Sequence, residues 1–200
     1  MAKFTSMRTC PRQRGFTLIE LLVTLAVAAV LASLAAPSIR DFIVRSKMTN
    51  IGNEFTGSVL RARNEAVNRN ICVTLCMSGN VTSATPSCST TGTDWQAGWI
   101  SFINPECDSS LGGPKDADAA ATDMLLVHQS AGADFQLITA GSTRKMMFNP
   151  RGAPGTGSAG LFKLLHAENA FSEKFGYNIC LDGMGRTRTL PHLDDCSSYK

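Results

Sequence analysis

The chain has 200 residues, a 44% apolar fraction and a formal net charge of +3, which allow one ordinary domain with an appended segment rather than two full domains and exclude wholesale disorder. The charge is unevenly placed: Lys3, Arg8, Arg12 and Arg14 precede Gly15 with no acid among them, so removal of residues 1–15 takes four of the 19 basic side chains and none of the 16 acidic ones, turning +3 into −1. A chain of that balance has no global attraction for nucleic acid, and any such binding has to come from a local patch.

The first element is the run from Phe16 to Ala36 (FTLIELLVTLAVAAVLASLAA), which contains one charge, Glu20, and neither Gly nor Pro. A helix of roughly 20 residues crosses a hydrocarbon core about 30 Å thick, so residues 16–36 are expected to span a membrane. Cations flank only the N-terminal side, which keeps that end in the cytoplasm and sends the remainder outward. A secretory signal is the rival reading. Small residues from Ala32 to Ala36 imitate its cleavage site, but the apolar run is longer than a usual signal core. Neither a signal nor a plain anchor explains Glu20. An ionised carboxylate at the centre of a membrane helix costs roughly 2.5–3.5 kcal/mol, and less near the edge. Left unpaired, it opposes side-by-side packing of such helices in a dry bundle. A cation reverses that sign, and a freshly cut N-terminal amine is the natural candidate.

Pro37 follows, where a lost hydrogen bond and a clash with the preceding turn favour a bend. Residues 37–70 then read as an amphipathic continuation. Ile39, Phe42 and Ile43 are followed by Ile51, Phe55, Val59, Ala62 and Ala66 at helical spacing. One long helix is expected from Phe16 to Asn68, its second half packed on a sheet. Gly52 and Gly57 weaken it by about 1 kcal/mol each relative to Ala. Arg61, Arg63, Asn64 and Arg69 point away from the stripe, as a solvated face or as a contact with neighbouring subunits.

Residues 71–200 turn to β character. Strands are expected at Ile71–Leu75, Gly98–Ile103, Met124–His128, Phe135–Thr139, Lys145–Phe148, Tyr177–Leu181 and Arg186–Leu190, separated by Gly, Pro, Ser and Asp clusters. Residues 152–160 (GAPGTGSAG) form a flexible loop, and Leu161–Lys174 fits either a short helix or a strand. Strands in series after one helix give an α+β fold, the helix laid across an antiparallel sheet.

Seven cysteines are present. Loss of residues 1–15 removes Cys10 and leaves an even set, which in an exported domain reads as disulfides. Cys72 and Cys76 share one face of a strand about 13 Å apart, too far to bridge each other. Cys76–Cys88 closing a Ser/Thr-rich loop and Cys180–Cys196 tying down the tail are the expected pairs, with Cys72–Cys107 remaining. A metal site or redox pair on Cys72 and Cys76 is the rival, weakened by the lack of a nearby His. His128, His166 and His192 are scattered, and no catalytic or nucleotide-binding motif accompanies them. No enzyme, metal or cofactor is expected.

Arg14-Gly15-Phe16-Thr17-Leu18-Ile19-Glu20 resembles the cleavage and methylation motif of type IV prepilins and type II secretion pseudopilins. Three later stretches resemble blocks of the GspH/FimT family of minor pilins and pseudopilins: Ala62-Arg63-Asn64-Glu65-Ala66-Val67 leading into Val73-Thr74-Leu75-Cys76, Asp94-Trp95-Gln96-Ala97-Gly98-Trp99-Ile100-Ser101-Phe102, and Phe148-Asn149-Pro150-Arg151-Gly152 with Gly185-Arg186-Thr187-Arg188. The region from Gly160 to Lys174 is less familiar in that family. The resemblance implies a pilin-like fold, cutting between Gly15 and Phe16 by a prepilin peptidase, and methylation of the Phe16 amine. It further implies that Glu20 neutralises that amine on a neighbouring subunit. Residues 1–15 are then a leader, and residues 71–200 a disulfide-bonded periplasmic domain anchored in the inner membrane. The implied partners are other pilins or pseudopilins, the peptidase and an inner-membrane assembly platform. Gly185-Arg186-Thr187-Arg188 also resembles the G-R-x-R tail of DNA-binding minor pilins. Alternation sets Arg186 and Arg188 on one side of a strand about 7 Å apart, near the spacing of adjacent phosphates. Solvation, or pairing with Asp182, Asp194 or Asp195, is the alternative for these arginines.

Overall fold

The computed structural model describes residues 15–114, 123–130, 132–139, 141, 143–155 and 160–197. The expected leader up to Arg14, with Cys10, lies outside them. One α-helix, α1, runs over Leu18–Arg69 and continues through Pro37. The chain forms two compact units, one ending at Phe42 and one beginning at Ile43.

In the first unit every side chain from Gly15 to Arg40 is exposed. The segment is apolar and long enough to cross a membrane. Ile39, Phe42 and Ile43, which the periodicity joins to the buried stripe, are 56%, 70% and 47% exposed. The stripe instead begins at Val44 and continues through Met48, Ile51, Gly52, Phe55, Ser58, Val59, Ala62 and Ala66, all buried.

Among its described residues, the second unit places that stripe on eight antiparallel strands. β1 (Cys72–Met77), β2 (Gly98–Asn104), β3 (Met124–Gln129), β4 (Phe135–Thr139), β5 (Lys145–Phe148), β6 (Gly160–His166), β7 (Tyr177–Leu181) and β8 (Thr187–Pro191) follow in order, with a second helix, α2 (Asn169–Phe175), between β6 and β7. They form two four-stranded sheets, β3-β2-β1-β5 and β4-β6-β7-β8, where the strand pattern suggests one. The ambiguous stretch from Leu161 to Lys174 is both things in turn. Phe162 and Leu164 alternate into the core along β6, and α2 then turns back, its Ser172 hydroxyl accepting from His166 N at 2.7 Å and donating to His166 O at 2.8 Å.

Both sheets and α1 supply one core. Phe55 lies at its centre, 0% exposed. Its ring meets Trp95 and Trp99 edge-on at 5.4 and 5.6 Å, and Phe162 of the second sheet at 4.8 Å. Edge-on aromatic contacts add to the gain from burying their area. Each indole N–H is satisfied: Trp95 donates to Thr143 O at 3.1 Å and Trp99 to Ser58 Oγ at 2.9 Å. A smaller cluster of Cys76, Ile100 and Phe102 forms a separate patch, and β1 is buried at every position.

Gly52, which intrinsic propensity marks as a weakness, is a requirement of the packing. A Cβ there would fall 1.7 Å from the Tyr177 hydroxyl, which donates to Met48 O at 3.1 Å. Burial pushes the Tyr177 phenol up to about 12, so it remains a donor across the physiological range. Gly57 has open space around it and keeps only the propensity cost.

Candidate assembly site

The N-terminal turn of α1 is built by Thr17 and Glu20. Glu20 N donates to Thr17 Oγ1 at 3.3 Å, while Thr17 N and Thr17 Oγ1 each donate to Glu20 Oε2 at 2.9 Å. This reciprocal pattern is a capping box, in which a Thr at the N-cap and a Glu three residues later satisfy each other's backbone donors. The sequence reading treats Glu20 as unpartnered until a neighbour arrives, and overlooks the T-x-x-E spacing that signals the box. The box turns the carboxylate back toward the chain's own start, where Phe16 is 92% exposed. A cut after Gly15 converts the Phe16 nitrogen into an ammonium one residue before the Thr17 N–H that Glu20 already accepts. The site as it stands is a carboxylate fixed by Thr17 beside an exposed aromatic residue.

A second constellation joins stretches far apart in the sequence. Arg63 Nε donates to Gly152 O at 3.0 Å. Gly152 and Gly185 both take φ of 76°, a left-handed conformation that favours glycine. A Cβ on Gly185 would fall 2.6 Å from Gly152 O and 3.0 Å from Arg63 Cδ. The motifs around residues 62–67, 148–152 and 185–188 thus meet at one point. Arg63 is half-buried there rather than part of a solvated face.

Arg186 lies on the turn before β8, not inside the strand, and its Nε donates to Asp182 Oδ2 at 2.7 Å. Asp182 is 3% exposed and also accepts from Met184 N and Arg186 N at 2.9 and 2.8 Å. Burial alone raises the Asp182 carboxyl. Hydrogen bonds from the Arg186 and Met184 amides and the Arg186 side chain, with the Arg186 charge, outweigh it and hold the group below the ordinary carboxylate range. Arg188 is exposed on β8, opposite Cys180 in register.

The structure joins Cys72 to Cys107, Cys76 to Cys88 and Cys180 to Cys196. The last closes a loop with a sequence separation of 16, a size that contributes about 3 kcal/mol in the chain-entropy model. Asn178 reinforces it, donating to His192 O and Asp194 O at 3.0 and 2.5 Å. Among the described residues, no group of three His, Cys, Asp or Glu side chains is placed to hold a metal ion.

Residues 52–185 match the family model of the type II transport protein GspH, and residues 10–36 match the prokaryotic N-terminal methylation motif. The chain is similar to the fimbrial protein EcpC of Eikenella corrodens, 44% identical over 41 residues that make up 20% of this chain and 27% of that protein. It is also similar to the type IV major alpha-pilin of Moraxella bovis, 43% identical over 42 residues, 21% of this chain and 26% of that one. The matches therefore span about a quarter of the length of these curated relatives. Among solved structures, the type IV minor pilin FimU of Pseudomonas aeruginosa superposes with a TM-score of 0.53 at 15% identity, covering 77% of this chain and 96% of that one. At that identity the likeness is one of fold: a long N-terminal helix packed on antiparallel sheets.

Proposed function

Because the chain belongs to the GspH family of pilins and pseudopilins, we propose that it is a minor subunit of a type II secretion pseudopilus or type IV pilus, assembled into the filament or at its tip. Residues 1–15 serve as a leader removed by a prepilin peptidase, which then methylates the Phe16 amine. Residues 16–36 hold the subunit in the inner membrane with its N-terminus in the cytoplasm. Residues 37–70 extend the helix, and residues 71–200 form the periplasmic domain. The observation that carries this reading is the fixed Glu20 carboxylate beside Phe16, in a segment from Leu18 to Leu34 whose large apolar side chains are all exposed. An isolated soluble helix has no use for such a surface. A bundle of like helices buries it, and pairs each carboxylate with a neighbour's amine. The partners are other pilins or pseudopilins, the peptidase and the inner-membrane assembly platform.

The DNA-uptake alternative rests on Arg186 and Arg188. Arg186 Nε is engaged by Asp182, with its side chain 66% exposed, and Arg188 is exposed on β8. The test is quantitative mass spectrometry of sheared filaments from the native organism. The subunit is expected there in amounts far below the major pilin, and absent when the prepilin peptidase is deleted. Its absence from filaments of the parental strain would count against the assembly reading.

A further inference from the structure

Leu125 and Leu126 pack the outer strand of the first sheet against the core it shares with α1, and one histidine adds a polar link. His128 of β3 pairs in register with Trp99 of β2, and their rings stack with centroids 3.6 Å apart and planes 13° apart. Trp99 donates to Ser58 Oγ at 2.9 Å, and the Ser58 hydroxyl donates to Glu54 O at 2.7 Å, one turn back on α1. The circuit closes at the Glu54 carboxylate, whose Oε2 is 3.8 Å from His128 Nε2. That distance is too long for a hydrogen bond. Nε2 is enclosed and has no hydrogen-bond partner. The imidazole is 18% exposed and the Glu54 side chain 52%. Among the described residues, Glu54 is the charged group facing the ring from α1. β2 presents the uncharged Trp99, and the ring's own neighbours on β3 are Val127 and Gln129.

We propose that His128 is a proton-sensitive latch: neutral, it clamps β3 to α1 through Trp99, and protonated, it leaves its enclosed site and frees the outer strand of the sheet. A neutral imidazole stacks on indole without needing water. A proton on Nε2 adds a charge and a donor where no acceptor lies within reach, and the nearest carboxylate is half in solvent, where its attraction is screened. Burial lowers the histidine's affinity for a proton, Glu54 raises it, and burial is the larger effect, so the ring titrates below its ordinary value of 6.5. With the folded value depressed, the unfolded chain binds the proton more readily. The stabilisation is therefore complete above 6.5 and falls as pH drops through that value toward the folded one. Among the described residues β3 pairs only with β2, so its other edge is the one that protonation leaves least supported, and such an edge is a surface on which a neighbouring chain can dock.

The test uses the full chain in detergent micelles, with hydrogen exchange by mass spectrometry corrected for intrinsic rate, and NMR titration of the imidazole. Between about pH 7.5 and about pH 5, protection of residues 124–129 is expected to fall by on the order of tenfold or more while residues 72–77 keep theirs. His128→Phe, which can stack but not titrate, is expected to abolish that pH dependence. The His128 signal in the wild type is expected to titrate below 6.5, and lower still in Glu54→Gln. A midpoint at or above 6.5, equal protection of β3 across the range, or an unchanged pH dependence in His128→Phe would each overturn the latch.

Discussion

Glu20→Ala is expected to leave membrane insertion and leader removal intact while the protein disappears from filaments. Alanine is easier to insert than a carboxylate, so the anchor does not suffer. What is lost, on the proposed function, is the charge that pairs with the amine of the adjacent subunit. Such a pair is much stronger in a low-dielectric bundle than in water, so its loss is expected to act on assembly rather than on insertion. Glu20→Ala also removes the capping box seen with Thr17, so Glu20→Gln is the necessary companion. Glutamine can still close the box but carries no charge. If charge pairing governs assembly, both variants are excluded from sheared filaments at wild-type membrane levels. If only the helix cap matters, Glu20→Gln assembles normally, and the pairing role fails.

The second large effect is on stability. Phe55→Ala is expected to cost about 3–5 kcal/mol and to lower the melting temperature of the full chain in detergent by about 10 °C or more. The ring is fully buried against Trp95, Trp99 and Phe162, so its removal leaves a cavity at the point where helix and both sheets meet. Leu60, five residues along the same helix, is 39% exposed, and Leu60→Ala is expected to stay within about 0.5 kcal/mol. Circular dichroism melts of the two variants decide the matter. Equal shifts would mean that the core does not sit where the burial pattern puts it.

Local features were readable from the chain because they are carried by short-range chemistry. The apolar run after Gly15, the stripe from Ile51 to Ala66 and the strands at 135–139, 145–148 and 177–181 follow from periodicity and β-branched or aromatic content. The division into two sheets was not readable, because pairing β4 with β6 and β1 with β5 joins segments separated by loops that carry no register signal. Gly52 has a second role that propensity does not report, for a related reason. Propensity sees a helix-weakening residue, while its value lies in contact with Tyr177, distant in sequence. Ile39, Phe42 and Ile43 extend the apolar pattern but bury nothing within the subunit, since periodicity reports a face and not what covers it. At the N-terminus the capping box is legible as Thr17-x-x-Glu20, and Glu20 carries both a charge and a hydrogen-bonding role. The meeting of Arg63, Gly152 and Gly185 had no local signature, because each glycine is fixed by a backbone approach from another part of the fold.

The central claim is that this chain becomes an assembling subunit by a cut that creates an amine beside Glu20. Intact-mass measurement of the protein extracted from membranes tests it most directly. The expected species begins at Phe16 and is heavier by one methyl group. A species that begins after Ala36, or one that retains residues 1–15, would contradict the claim.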